Sequence, residues 1–298
     1  MTNQTDRRIA FLFPGQGGLP ESLPPSSPEI ERLFEIAASH GLALKDWISN
    51  AEADRLSKTD AAQPAILIDS LARDAELRRT GLTPAYVAGH SLGEYSALVS
   101  AGAMTAGEAL SLVIERGRLM VGTAIGGMAA IVKLDLKTIS GLCDKAGSDV
   151  VVANHNGPRQ VVVSGTQEAV ERVIKEAEQI GGRGILLRVS GPFHSPFMEP
   201  AQRSLAEVIE RISFRRPSVP FVSAVTGAVE EAVARLRELM KIQMTSCVRW
   251  VDVIERLQEA GVTHAVELGP GSVLTNLGKR ISERIEFVTY EEASDGGV

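Results

Sequence analysis

The sequence predicts an α/β protein with a mostly parallel sheet and a smaller second unit inserted into the main one. First, short apolar runs alternate with amphipathic stretches near both ends of the chain, as in proteins whose strands and helices alternate. Second, the predicted elements follow a different order in the middle of the chain. Third, 298 residues are enough for a large unit with a buried core and a small unit beside it.

The main unit is predicted from runs of apolar residues with strand or helix spacing. Gly81 follows one predicted helix, in a position that favours a helix end. The predicted strands are Ile9–Phe13, Tyr86–Ala88 and Val266–Leu268, and the predicted helices are Pro28–His40, Ala65–Thr80, Glu94–Ala103, Ala109–Met120 and a last helix that ends near Arg284.

The middle of the chain predicts two helices among four strands. The strands are Met128–Leu134, Val150–Ala153, Gln160–Ser164 and Gly184–Val189, and the helices are Leu136–Ala146 and Glu168–Ile180. This βαββαβ order is that of a ferredoxin-like unit. We therefore predict a small subdomain at residues 126–192 inserted into a large one at residues 1–125 and 193–298, with a small-molecule site in the cleft between them.

Composition narrows the class of protein. The chain is 44% hydrophobic and 23% charged, with a formal net charge of -6, as in ordinary globular proteins. Its longest apolar runs are too short to span a membrane, and Met1–Arg8 is polar, unlike a signal peptide. Cys143 and Cys247 lack metal-ligand spacing, and an acidic chain with few aromatic residues is unlike a nucleic-acid binder. We expect a cytoplasmic protein without membrane or nucleic-acid partners.

The strongest chemical signal is Gly-His-Ser-Leu-Gly at residues 89–93. A predicted strand precedes it and a predicted helix follows, which suits a nucleophilic serine on a sharp turn. The backbone amide of Leu92 and the helix N-terminus would then face an oxyanion formed at Ser91. A tight turn in which the serine only caps the helix would show the same spacing.

A serine nucleophile needs a base, and His194 is the best candidate among five histidines. It lies in Ser-Gly-Pro-Phe-His-Ser-Pro at residues 190–196, where prolines restrict the backbone on both sides. A surface loop histidine is the alternative. No acidic residue occupies an obvious partner position, so a Ser–His dyad oriented by a carbonyl is possible.

Two further residues bear on the substrate. Gln16 lies in a glycine-rich segment after the first strand and could supply a second oxyanion donor, although an ordinary turn would look the same. Arg116 lies on an otherwise apolar helix and is either solvated or faces the cleft. In the cleft, its guanidinium would be suited to a carboxylate.

Taken together, the motifs resemble those of the malonyl-CoA:acyl-carrier-protein transacylases over nearly the whole chain. They are Pro14–Gly17, Gly89–Ala97, Arg116-Gly117, Met128–Ala130, Asn154-x-Asn156, Gly191–Ser195, Val248-x-Trp250 and Glu267–Gly271. The resemblance implies an α/β-hydrolase-like body with an inserted ferredoxin-like subdomain. The chain departs from the family at Gly18–Pro28 and at Ser246-Cys247, which leaves the carrier and pathway open.

The resemblance also implies residue roles. Ser91 would be acylated, His194 would be its base, and the backbone carbonyl of Arg249 would orient His194. Backbone amides of Gln16 and Leu92 would form the oxyanion hole.

On the substrate side, the resemblance implies that Arg116 holds the malonyl carboxylate. Phe193 matches the version of the motif associated with malonyl and not with bulkier units.

The implied reaction is transfer of a malonyl group from malonyl-CoA to the phosphopantetheine thiol of an acyl carrier protein, through a malonyl-serine intermediate. It requires no metal or other cofactor, and we expect the protein to be a monomer. We expect it to act in fatty-acid biosynthesis, with polyketide synthesis and malonate decarboxylation as the other pathways. The segment Ile180–Pro220 holds six arginines and three glutamates and could meet CoA phosphates or an acidic carrier, although an ordinary charged surface is equally consistent. A serine esterase or thioesterase and a non-catalytic carrier-binding module remain alternatives.

Overall fold

The computed structural model describes residues 7–122 and 126–297. The strands are β1 (Ile9–Phe13), β2 (Tyr86–Gly89), β3 (Gly127–Val132), β4 (Val150–Gly157), β5 (Gln160–Gly165), β6 (Arg183–Leu186), β7 (Phe221–Val222), β8 (Val229–Glu230), β9 (His264–Glu267) and β10 (Glu286–Thr289). The α-helices are α1 (Pro28–Ser39), α2 (Leu44–Ser49), α3 (Ala53–Leu56), α4 (Thr59–Arg79), α5 (Gly93–Ser100), α6 (Ala106–Val121), α7 (Leu136–Ala146), α8 (Gln167–Gln179), α9 (Glu199–Ile209), α10 (Val233–Ile242), α11 (Trp250–Glu259), α12 (Val273–Ile281) and α13 (Tyr290–Glu292). Short 3-10 helices cover Pro196–Met198 and Gln243–Thr245.

The larger sheet has six strands in the order β10-β9-β1-β2-β7-β8. Its pairs are parallel except for β7 with β8. β1 is buried along its whole length, which explains its continuous apolar sequence. Phe13 lies opposite Gly89 in the register of β1 and β2. The segments that follow these two strands therefore meet at the carboxyl edge of the sheet.

The smaller sheet has four antiparallel strands in the order β4-β5-β3-β6. With α7 and α8 it encloses its own apolar cluster, which includes Ile131, Ile139 and Val170. The mixed α/β architecture, with a mostly parallel sheet and a separate antiparallel one, is as predicted. The predicted boundary at residue 125 lies outside the described residues, as does most of the polar N-terminal segment.

Several predicted bounds were wrong. α4 begins at Thr59, six residues before the predicted start, and includes Pro64. β4 continues to Gly157, whereas β6 ends at Leu186, before the predicted Val189. α12 ends at Ile281 and not near Arg284. Among the helices in the described ranges, none is both long and apolar enough to cross a membrane.

Helices α4 and α6 pack side by side in the main core. Their contact buries two polar side chains, Gln63 of α4 and Arg116 of α6, each 1% exposed. The Arg116 Nη1 donates to the Gln63 Oε1 at 2.7 Å. This pairing places a guanidinium beneath the carboxyl edge of the main sheet.

Candidate active site

Ser91 lies on the turn between β2 and α5 with a left-handed backbone, φ +53°. The flanking glycines make this turn possible. A Cβ on Gly89 would lie 2.0 Å from the Gly93 carbonyl carbon, and one on Gly93 would lie 1.9 Å from the Phe13 carbonyl oxygen. Neither gap admits a side chain, so the sharp turn requires glycine at both positions.

His194 lies within hydrogen-bond distance of the serine. Its Nε2 lies 2.7 Å from the Ser91 Oγ. Its Nδ1 lies 2.9 Å from the Ser246 carbonyl oxygen and 3.2 Å from that of Gln243. Because carbonyl oxygens only accept, Nδ1 carries the proton and Nε2 presents its lone pair to the serine. His194 is 5% exposed, which excludes a solvated loop histidine.

The prediction that the Arg249 carbonyl orients His194 was wrong. That carbonyl accepts the Val253 N–H at 3.1 Å, because Arg249 is the residue that caps the start of α11. The orienting oxygens come from Ser246 and Gln243 instead, in the 3-10 turn that precedes this helix.

Arg116 faces the nucleophile. Its Nη2 donates to the Ser91 Oγ at 3.1 Å while its Nη1 is held by Gln63. Within residues 7–122 and 126–297, no carboxylate forms an ion pair with this guanidinium, and its Nε has no hydrogen-bond partner. The solvated alternative is therefore excluded. Glu94 acts on the guanidinium electrostatically and is joined to it through the Gln243 side chain, without direct contact. A buried guanidinium with no carboxylate in direct contact is costly unless it serves to bind one.

Sequence reasoning missed Gln243, which connects several site residues. Its Nε2 donates to the Ser91 carbonyl at 2.9 Å and to the Glu94 Oε2 at 2.6 Å. Its Oε1 lies 3.5 Å from the Arg116 Nη2. No local pattern marks this glutamine. Gln63 was also missed, although a single polar residue within the otherwise apolar run at residues 61–68 was a signal that could have found it.

The electrostatics of the site favour a neutral imidazole. Burial, followed by the positive charge of Arg116, lowers the pKa of His194 to about 3. Burial also lowers the pKa of the Arg116 guanidinium and raises that of the Glu94 carboxyl, which accepts hydrogen bonds from Gln243, Ala224 and Ser223. At neutral pH His194 is therefore available as a proton acceptor.

A cleft opens over the Ser91–His194 pair. Its walls include the predicted residues Gln16, Leu92 and Phe193, together with apolar side chains from the small sheet and from α6 and α12. Phe193 is 7% exposed and directly precedes His194. The apolar residues lining the cleft include Met120, Met128, Val162, Leu187, Val189, Val273 and Leu277.

His90 does not take part in this pair. Its Nε2 donates to the Asn156 Oδ1 at 2.8 Å, and its ring lies 5.5 Å from that of Trp250. His155 lies beside Asp252, with a closest approach of 4.0 Å. Of the predicted site side chains, the structure brings Ser91, His194 and Arg116 into direct contact.

Known proteins resemble this chain over nearly its whole length. The acyl transferase domain family matches residues 11–292. A malonyl CoA-acyl carrier protein transacylase of Bacillus subtilis (strain 168) is 39% identical over 297 residues, which cover 96% of this chain and 94% of that protein. The crystal structure of FabD from Acinetobacter baumannii has a TM-score of 0.87 at 34% identity and covers 98% of both chains.

A further solved structure, PlMCAT:AntF, is a type II PKS acyl-carrier protein in complex with its malonyl-transacylase. It has a TM-score of 0.88 at 35% identity and covers 97% of this chain and 99% of that one. On sequence and structure together, the chain belongs to the acyl transferase family and, within it, to the malonyl CoA-acyl carrier protein transacylases.

Proposed function

We propose that the protein transfers a malonyl group from malonyl-CoA to the phosphopantetheine thiol of an acyl carrier protein in fatty-acid biosynthesis. Ser91 holds the malonyl group as an ester between its release from the CoA thiol and its transfer to the phosphopantetheine thiol. The observation that carries the proposal is Arg116, a buried cation with no carboxylate in direct contact among the described residues, whose Nη2 lies 3.1 Å from the Ser91 Oγ. A dicarboxylic half-ester supplies the missing anion.

In the first half-reaction His194 Nε2 accepts the Ser91 proton as Oγ attacks the thioester carbonyl carbon of malonyl-CoA. The backbone amides of Gln16 and Leu92 stabilise the oxyanion. Both residues line the cleft, and neither amide donates a hydrogen bond to another residue in the described part of the chain. As the tetrahedral species collapses, the C–S bond breaks and the CoA sulfur takes the proton from His194.

The second half-reaction repeats these steps with a different nucleophile. His194 accepts the proton of the carrier thiol, whose sulfur attacks the malonyl ester. The ester C–O bond breaks, and Ser91 recovers its proton from His194. The His194 Nε2 serves as the base in both half-reactions. Together they form the double displacement of a Ser–His dyad.

Arg116 selects the acyl group. A malonyl carboxylate in the cleft can accept two parallel hydrogen bonds from a guanidinium fork. Phe193, immediately before the base, limits the space beside the malonyl α-carbon. We further interpret residues 126–192 as a ferredoxin-like subdomain inserted into an α/β-hydrolase-like body at residues 1–125 and 193–298, acting as a cytoplasmic monomer.

The test is to incubate the protein with malonyl-CoA and an acyl carrier protein that bears phosphopantetheine, and to follow the mass of the carrier. We expect the carrier to gain one malonyl group. The carrier without phosphopantetheine should gain none. Release of free malonate at a rate independent of the carrier would indicate a serine hydrolase and contradict the proposal.

A further inference from the structure

Strand β4 of the small sheet departs twice from regular pairing with β5. The register shifts between Val152 and Asn154, and again between His155 and Gly157. Ala153 and Asn156 are therefore left without a partner on β5. Bulges of this kind redirect backbone and side-chain groups, and they are common next to active sites.

The first irregularity joins β4 to the segment that orients the base. The Val248 N–H donates to the Ala153 carbonyl at 2.8 Å, and the His155 N–H donates to the Val248 carbonyl at 2.8 Å. Val248 lies two residues after Ser246, whose carbonyl accepts the His194 Nδ1 proton. This short parallel bridge fixes the backbone on which the orientation of His194 depends.

The second irregularity joins β4 to the nucleophile turn. The Asn156 Oδ1 accepts a hydrogen bond from the His90 Nε2 at 2.8 Å. The His90 ring also packs edge-on against the Trp250 ring, with centroids 5.5 Å apart, and His90 directly precedes Ser91. The side chain that β4 redirects therefore holds the residue next to the nucleophile.

Both reacting residues need such support. Ser91 and His194 have left-handed backbones, with φ of +53° and +57°. Non-glycine residues in this region cost about 1–3 kcal/mol each and persist where the surrounding structure holds them. β4 hydrogen-bonds to Val248, close to the carbonyl that orients His194, and to His90, which directly precedes Ser91.

We propose that β4 is a brace that sets the distance between Ser91 and His194, and that Asn156 is a positioning residue acting through His90. The inference rests on the proposed acyl transfer for its substrate but concerns the geometry of the dyad. Asn156 acts on the reaction through the position of the Ser91 Oγ.

A second polar contact between the small sheet and the main unit provides a matched control. The Arg280 Nη1 of α12 donates to the Gln160 Oε1 of β5 at 3.0 Å on the exposed surface. Neither side chain hydrogen-bonds to His90, Ser91, His194 or Ser246 in the described part of the chain.

The experiment compares Asn156→Leu, Asn156→Asp and Gln160→Ala with the wild type. The measurements are kcat and KM for malonyl-CoA, Tm, and the rate at which a fluorophosphonate labels Ser91. In that labelling the serine oxygen bonds to phosphorus, fluoride leaves and His194 takes the proton, so it reports dyad geometry without malonyl or carrier.

We expect Asn156→Leu to lower kcat and the labelling rate roughly 10- to 100-fold, the effect of small misplacement of reacting groups, with KM near the wild-type value. Asn156→Asp keeps the accepting oxygen and should recover most of both rates. Gln160→Ala should behave as the wild type.

Three results would overturn the brace: wild-type labelling of Asn156→Leu, a raised KM with unchanged kcat, or equal losses in both Asn156 variants. A wild type that is labelled but transfers no malonyl group would refute the proposed function alone, because the labelling differences between variants would still stand.

Discussion

Replacing Arg116 with alanine tests the basis of malonyl selectivity. Arg116 is 1% exposed, its guanidinium has no carboxylate in direct contact among the described residues, and its Nη2 donates to the Ser91 Oγ. We expect Arg116→Ala to lower kcat/KM for malonyl-CoA strongly. The same variant should leave acetyl-CoA unchanged or improve it, because acetyl-CoA has no carboxylate and the buried charge is gone.

The magnitude follows from the burial of the pair. Removing one partner of a desolvated, hydrogen-bonded ion pair costs about 2–5 kcal/mol, which corresponds to roughly 30- to 5,000-fold in rate. Arg116→Lys should recover only part of this, since an ammonium group lacks the planar fork that meets both carboxylate oxygens and the Gln63 amide.

The assay is kcat/KM for malonyl-CoA and acetyl-CoA with one carrier protein, for the wild type and both variants. Arg118→Ala is the matched control, because Arg118 lies on the same helix with its side chain 67% exposed and paired with Glu115. Equal losses for the two thioesters in Arg116→Ala would show that Arg116 is structural and would refute the reasoning.

Three other predictions follow from the site. His194→Ala should slow acylation and transfer together by about 10²–10⁴-fold, whereas His264→Ala should not, and a loss confined to one half-reaction would contradict a shared base. Because the pKa of His194 is lowered to about 3, single-turnover acylation should show no acid-side loss from His194 between neutral pH and about pH 5. Removing the Arg116 charge should raise the pKa of His194 and move the acid limb of the pH–rate profile to higher pH. A wild-type midpoint near the ordinary histidine value, about 6.5, would be inconsistent with a buried neutral base. Gly93→Ala should lower Tm and abolish activity, since its Cβ would lie 1.9 Å from the Phe13 carbonyl oxygen. Gly141→Ala is the control, because a Cβ there meets open space on α7, and it should be neutral or stabilising. An active, stable Gly93→Ala would contradict the described turn.

The sequence predicted best what local constraints determine. The nucleophile turn depends on two glycines and the flanking strand and helix, all within a few residues of Ser91. The mixed α/β class, with its two kinds of sheet, likewise follows from the order of apolar periodicities. The bulges of β4 could not be predicted, because the groups at these bulges contact residues distant in sequence, Val248 and His90.

Contacts between distant segments were harder to predict. Gln243 lies 152 residues from Ser91 in sequence, and its role as a hydrogen-bond donor appears only when the 3-10 turn is placed beside the nucleophile turn. The same turn decides which carbonyl faces His194, so the choice of Arg249 was wrong by three residues from Ser246. The resemblance indicated the segment, but the direction of each carbonyl is set by the turn and by the start of α11.

The most direct test of the central claim is intact-protein mass spectrometry after mixing with malonyl-CoA alone, followed by peptide mapping. We expect a mass gain of one malonyl group on Ser91, its absence in Ser91→Ala, and its loss when a carrier protein with a phosphopantetheine thiol is added. An adduct of undiminished yield in Ser91→Ala, mapped to another residue, would contradict it.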